Sequence, residues 1–249
     1  MTLSEFSREF DILYNNILSG AAPGINEYEK SVLLTNALES IVKEYYTGNI
    51  QKLIPSFEGT ERVRKELGEL VRTHTATYDA VLNGALATIK IHDNSVFFEI
   101  PTDVWFTVFE QANTYPDPCT DAPQKVKIRP IRHDYFNVLI DNPFRKPNKE
   151  WAWRLDLESQ DNKRIIELVY LYLPVETYYF RYVHKPAPIV LTDFETHPDL
   201  SGLSLSVRGV NTESDNELPS LSREILELAV ANAVMRYREN SLQNITNFK

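Results

Sequence analysis

Apolar residues recur at Phe6, Phe10, Leu13 and Ile17, at steps of four, three and four, which predicts one buried stripe along a helix. Thr2 and Glu5 stand at capping-box spacing in front of it. Ala21, Ala22, Pro23 and Gly24 break the pattern. Asn26 with Glu29 opens a second helix, whose apolar positions Val32, Leu34, Leu38, Ile41, Val42 and Tyr45 run on to Gly48. Thr60 is placed to cap a third, shorter helix carrying Val63, Leu67, Leu70 and Val71. Residues 1–75 are therefore expected to form a helical layer.

The period then changes. Val96 to Ile100 is a short apolar run closed by Pro101, and Val104 to Phe109 alternates bulky β-formers around Thr107. Trp151, Trp153, Leu155 and Leu157 lie at a clean period of two, so they share one face of a strand. Ile165 to Leu173 is more continuously apolar and predicts a strand buried on both sides. Thr177 to Val183 is aromatic and alternating, and Pro186 and Pro188 confine the next segment to an edge or an extended connection. His133 to Ile140 predicts one short helix between strands. The region 76–191 thus reads as mainly β, in an antiparallel sheet.

Residues 192–249 read as a loop with a polar turn at Asn211 to Asn216, then a helix from about Leu221 to Tyr237. Ile225, Leu228, Ala229, Ala231, Asn232 and Met235 spread its small and apolar positions widely. With no repeat, low-complexity tract or interdomain linker, the expectation is one α+β domain over 1–249.

Composition adds little that is positive. Hydrophobic residues make up 43% and charged residues 24% of the 249, ordinary globular values. The net charge of −9 argues against wholesale wrapping of a nucleic-acid backbone. No apolar run is long enough to span a bilayer, and Met1 to Phe10 mixes Glu5, Arg8 and Glu9 with apolar residues, unlike a signal or transit peptide. A soluble protein without a membrane partner is expected. The aromatic load is high, with 13 Tyr, 12 Phe and 3 Trp against 8 Gly. It suits a sheet-rich core or surfaces that end half-buried against a partner.

Signals for catalysis are missing. His74, His92, His133, His184 and His197 include no pair at helical metal-ligand spacing, and a single cysteine excludes a thiolate zinc site or an intrachain disulfide. His197 follows Asp193 and Glu195, and His133 precedes Asp134, but both stand in polar, loop-like sequence. Cys119 lies between Pro118 and Thr120 without a neighbouring histidine, and neither a nucleophile elbow nor a Gly-rich phosphate loop occurs. The expectation is a protein that is not an enzyme and carries no metal or cofactor.

Charge distribution is more informative. Between residues 125 and 149 seven basic residues (Lys125, Lys127, Arg129, Arg132, Arg145, Lys146, Lys149) face only Asp134 and Asp141, a local net charge of +5. Trp151 and Trp153 follow at once. Three readings stand, in this order: contact with a protein partner, a sheet edge guarded by cations, and nucleic-acid binding with the tryptophans as stacking platforms. The segment Ala112 to Pro123, with Pro116, Pro118 and Pro123, predicts an exposed, irregular loop or arm; it is expected to be an intersubunit arm with Tyr115 as an amphipathic anchor, the alternative being a solvated hairpin loop. Deleting Asn113 to Thr120 is expected to leave a folded monomer.

Several segments taken together resemble virion structural proteins of crAss-like and related short-tailed phages. They are Phe6 to Asn16, Ala22 to Ser31, Asn142 to Pro147, Phe180 to Leu191 and Glu217 to Val230, in an order that spans nearly the whole chain. Ser222 and Leu226 depart from the family pattern, where His and another apolar residue are expected. The family is similar in organisation to head-to-tail connector and tail-ring proteins, which offer no catalytic residues to carry over. The resemblance implies a structural subunit of a ring stacked below the portal, in the virion tail or connector, assembled in the host cytoplasm. Its partners would be copies of itself, in twelve-fold order, the portal or adjacent tail ring proteins, and double-stranded DNA passing through without sequence-specific binding. The alternative is a nucleic-acid-binding accessory virion protein that uses segment 125–149, and an uncatalogued cell-wall hydrolase is a further rival.

Overall fold

The computed structural model describes residues 1–18, 23–48, 59–116, 118, 122–160 and 163–246, with the side chains of 158–160, 163 and 239–246 set aside. Ala21, Ala22, Cys119 and the tip of the expected arm lie outside the described residues. The fold is α+β and divides into two compact units. Met1–Leu70 and Pro186–Lys249 form a helical unit, and Val71–Lys185, inserted between them in sequence, forms a sheet unit.

In the helical unit, α1 (Leu3–Leu18), α2 (Glu27–Thr47) and α3 (Glu61–Gly68) begin where the cap patterns place them, and α6 (Ser222–Thr246) starts close to the expected Leu221 but runs beyond the expected end at Tyr237. Thr2 Oγ1 accepts the Glu5 N–H at 3.3 Å while the Glu5 carboxylate accepts the Thr2 N–H at 2.8 Å. Asn26 and Glu29 make the same reciprocal pair on α2, and Thr60 caps α3 through the Val63 N–H. These bonds satisfy N–H groups that a helix cannot pair internally.

The buried stripe of α1 is Phe6, Phe10 and Tyr14, not the expected Leu13 and Ile17; Ile17 is half exposed. A strict four-residue step carries the stripe onto Tyr14, whose ring stacks on Phe10 at 6.2 Å. Helix α2 is buried nearly all round, and Lys30 ties it to α1. The Lys30 ammonium reaches Asp11 at 2.7 Å, Glu27 at 2.9 Å and Ser7 Oγ at 3.1 Å, so all three donors are used although the side chain is buried. On α6 the buried positions are Ile225, Leu226, Ala229, Val230, Ala233 and Val234, while Met235, expected inside, is exposed. Tyr45 of α2 donates to Glu224 of α6 at 2.7 Å, and burial, followed by that carboxylate, pushes the phenol's pKa well above its usual value.

The Pro186–Leu191 stretch is an extended connection, as its prolines predict. Its backbone is satisfied by α2: Thr35 Oγ1 accepts the Ile189 N–H at 3.1 Å and Ser31 Oγ accepts the Leu191 N–H at 3.1 Å. The loop after it builds a small core of Val190, Phe194, Leu200 and Val207 with Tyr28 and Val32. It turns at Arg208 and Gly209, both at positive φ (54° and 87°), between the mutually bonded Val207 and Val210. That is the condition of a type I′ turn. Arg208 is held there by Glu39, at 3.2 Å.

The sheet unit comprises β1 (Val71–Thr77), α4 (Ala80–Ala85), β2 (Ser95–Ile100), β3 (Val104–Pro116), β4 (Pro123–Pro130), α5 (Phe136–Ile140), β5 (Trp151–Gln160), β6 (Lys163–Val169) and β7 (Val175–His184). A 3₁₀ turn at His133–Tyr135 leads into α5. The seven strands are ordered β1-β7-β3-β4-β5-β6-β2, and the sheet curls until its two edges, β1 and β2, meet. One face encloses a core containing Phe98, Ile100, Ile166, Leu168, Tyr178 and Phe180. The other face is covered over β5 and β6 by α5, where Phe136 packs on Trp153, Leu155 and Val169. Phe97 and Ile165 meet Leu86 and the half-buried Leu82 on the outside of β2.

Four expectations are corrected here. Val71 starts a strand and not the end of α3, so the helical segment stops at Leu70. The sheet is mixed, because β4 and β5 run parallel with Lys127 opposite Trp151. Parallel neighbours need a long crossover, and residues 131–150 with α5 supply it. Ala112–Pro116 is not an irregular arm but the end of β3, an interior strand paired to both β4 and β7. Pro116 closes the pairing opposite Pro123, past a register shift, where lost donors cost least. Ala112 and Thr114 are buried and Thr114 Oγ1 accepts the Gln124 N–H, so deleting Asn113 to Thr120 would cut into the sheet.

The enclosed face is not purely apolar. Arg154 of β5 reaches across to Glu110 of β3, and Tyr178 of β7 donates to the same carboxylate at 3.1 Å. Burial raises the pKa of Glu110, against the opposing pull of the Arg154 charge. It also drives the Tyr178 phenol far up, so the hydroxyl stays a donor.

Candidate assembly interface

Strand β4 alternates Lys125, Lys127 and Arg129 outward with Val126 buried and Ile128 half-buried on the other side. The parallel pairing sets Trp151 of β5 beside them. The Arg129 guanidinium carbon lies 3.3 Å from the centre of the Trp151 ring, and the indole N–H donates to the Lys146 carbonyl at 2.9 Å. Trp151 is therefore the hub that gathers Lys127, Arg129 and the 146–149 turn on one surface. Asn148 fixes that turn by accepting the N–H groups of Glu150 and Trp151. The Lys149 ammonium sits 4.1 Å from the Tyr172 ring centre. Arg132, at the far end of β4, pairs with Asp134 at 2.7 Å and leans over Tyr135.

Arg145 stands exposed in the turn before Lys146. Tyr115 is partly exposed at the opposite end of the β3–β4 pair, where its N–H donates to the Pro174 carbonyl at 2.9 Å. The structure thus brings Lys127, Arg129, Lys146, Lys149 and Trp151 together, and leaves Tyr115 and Lys125 at one end and Arg132 at the other.

One of the three readings of the basic segment loses its footing. Strand β4 is interior, paired on both sides, so its cations guard no sheet edge. Trp153 is 2% exposed inside the core, and Arg129 lies over one face of the half-buried Trp151.

Sequence reading missed the apolar part of that surface. Phe144 is 88% exposed at the tip of the turn after α5, and Val138, Tyr135 and Tyr172 are also more than half exposed. The signal was present in Asn142-Pro143-Phe144-Arg145-Lys146-Pro147, where an aromatic residue sits between two prolines beside two cations. Exposed aromatic side chains and arginine are enriched in protein interfaces.

The fold is that of an α+β protein with a cationic, aromatic surface on its sheet unit. The sequence profile described as phage tail ring protein 3/4 matches residues 1–244, and the chain belongs to this family. It is similar to two proteins of Bacteroides phage crAss001. "Ring protein 3" is 39% identical over 240 residues, covering 94% of this chain and 96% of that protein. "Ring protein 4/5" is 34% identical over 239 residues, covering 96% and 94%. The chain is thus a crAss-like phage tail ring protein.

Proposed function

We propose that the chain forms a closed ring of identical subunits in the virion tail, stacked below the portal and lining part of the channel through which the genome leaves. Closed rings use heterologous contacts, in which one face of each subunit meets a different face of the next. The observation that carries this reading is the cationic, aromatic surface around Trp151, part of a segment of net charge +5 in a chain whose net charge is −9. Such a protein can bind another copy of itself through opposite charges. In this reading the ring has twelve copies and its neighbours are the portal or other tail ring proteins. A net-acidic chain would offer the passing double-stranded DNA a weakly repulsive wall, so that the genome slides without sequence-specific binding.

Electron microscopy of purified particles tests this reading. The 249-residue fold should account for every subunit of one annular layer of the tail. Density that fits it only in the capsid shell, or nowhere in the particle, would refute the reading.

A further inference from the structure

We infer that the Phe144 turn of one subunit docks into the groove between α1, α2 and α6 of the next, with Arg145 and Lys146 facing that neighbour's acidic 193–217 loop. This rests on the ring reading above and specifies its subunit contact.

The turn is a preformed knob. Asn142 Oδ1 accepts the Phe144 N–H at 3.0 Å, and the Asn142 carbonyl accepts from both Arg145 and Lys146. The backbone is fixed while the phenyl ring projects into solvent, so little entropy is lost on docking. The groove, of about 630 Å³, is lined by Tyr14, Tyr28, Val32, Leu33, Ala233 and Tyr237, with Glu29 and Arg236 as its charged residues. It is large enough for a phenyl ring and predominantly apolar, as a receiving site must be.

Charge points to the same partner. The helical unit carries 20 acidic against 12 basic residues, a net −8, whereas the sheet unit has 15 against 14. Within the helical unit the 193–217 loop has six carboxylates (Asp193, Glu195, Asp199, Glu213, Asp215, Glu217) and one cation, a net −5 that mirrors the +5 of segment 125–149. That cation, Arg208, is bound to Glu39, and Glu195, Asp199, Glu213 and Asp215 are exposed. Loop and groove are neighbours, because Tyr28 packs edge-on against Phe194 with 5.4 Å between ring centres. An aromatic knob flanked by cations therefore meets an aromatic groove flanked by carboxylates, and a second copy of this chain offers both.

Zero-length carbodiimide coupling on wild-type assemblies released from particles tests the contact. Covalent dimers linking Lys146 or Lys149 to Glu195, Asp199, Glu213 or Asp215 are expected. Links confined to single chains, or none among these residues, would overturn the inference. In parallel, Phe144→Ser should raise the concentration needed for assembly at least tenfold while leaving the monomer's melting curve unchanged, since Phe144 packs on little within its own chain. Unchanged assembly would also overturn it. If the wild-type chain forms no closed assembly at all, the ring reading itself fails; if rings form without these links and regardless of Phe144, only the contact assigned here falls.

Discussion

The Arg129 guanidinium lies over the Trp151 indole, 3.3 Å from the ring centre, across the parallel β4–β5 pair. The contact holds a charge at a fixed place on the surface, and the indole N–H anchors the Lys146 turn from the other side. Trp151→Phe keeps an aromatic face but removes the donor. It should cost about 1 kcal/mol of stability, the worth of one hydrogen bond, and Trp151→Ala should cost more because Arg129 loses its platform. Urea unfolding of the two variants checks the order; equal stability of both with wild type would remove Trp151 from its role as hub.

Glu110 and Arg154 form an ion pair on the enclosed face of the sheet, with both side chains about 10% exposed. Arg154→Met leaves the carboxylate buried without its cation and should cost about 3 kcal/mol near neutral pH. The sign with pH comes from the raised pKa of Glu110. A folded-state value above the unfolded one contributes stability below the ordinary glutamate range, and that contribution is lost as pH rises through the raised value. Removing Arg154 raises it further. The stability gap between wild type and variant should therefore shrink as pH falls into the ordinary glutamate range and widen toward neutral pH, in denaturant titrations across that range. A gap independent of pH would mean that the two groups are not coupled.

Asn83 on α4 pairs with the backbone of Phe97 in the way a further strand would. Its amide nitrogen donates to the Phe97 carbonyl at 3.0 Å and its carbonyl accepts the Phe97 N–H at 2.7 Å. Strand β2 is an edge, and this side chain occupies the outward pairing groups of Phe97. Asn83→Ala should cost about 2–3 kcal/mol by stranding two buried polar groups. It should also promote aggregation at concentrations where wild type stays dispersed, read by light scattering. Asn83→Asp, which cannot donate to the carbonyl, should be no better.

Much of the fold was legible because it rests on local rules. Thr2, Asn26 and Thr60 announce their helices through side-chain oxygens, and the alternation from Trp151 to Leu157 fixes a strand face whatever lies opposite. The misreadings of the sheet are non-local. Nothing between Val71 and Thr77 reveals that these residues will pair with β7, and nothing in β4 reveals that its neighbour runs parallel. Ala112–Pro116 looks like an arm because prolines mark it, yet the sheet absorbs it as a strand end. The cations of segment 125–149 were visible as a cluster, but the placement of Trp151 beneath Arg129 and the projection of Phe144 depend on the crossover that returns the chain to β5. Exposure of an aromatic residue is a property of the fold that receives it, and a linear pattern does not carry it.

The central claim is that this chain works as one subunit of a closed ring. Mass measurement of complexes released intact from virions addresses it most directly. A single closed multiple of the 28.8 kDa subunit is predicted, at twelve copies. A chain found only as a stable monomer, and absent from the particle, would contradict it.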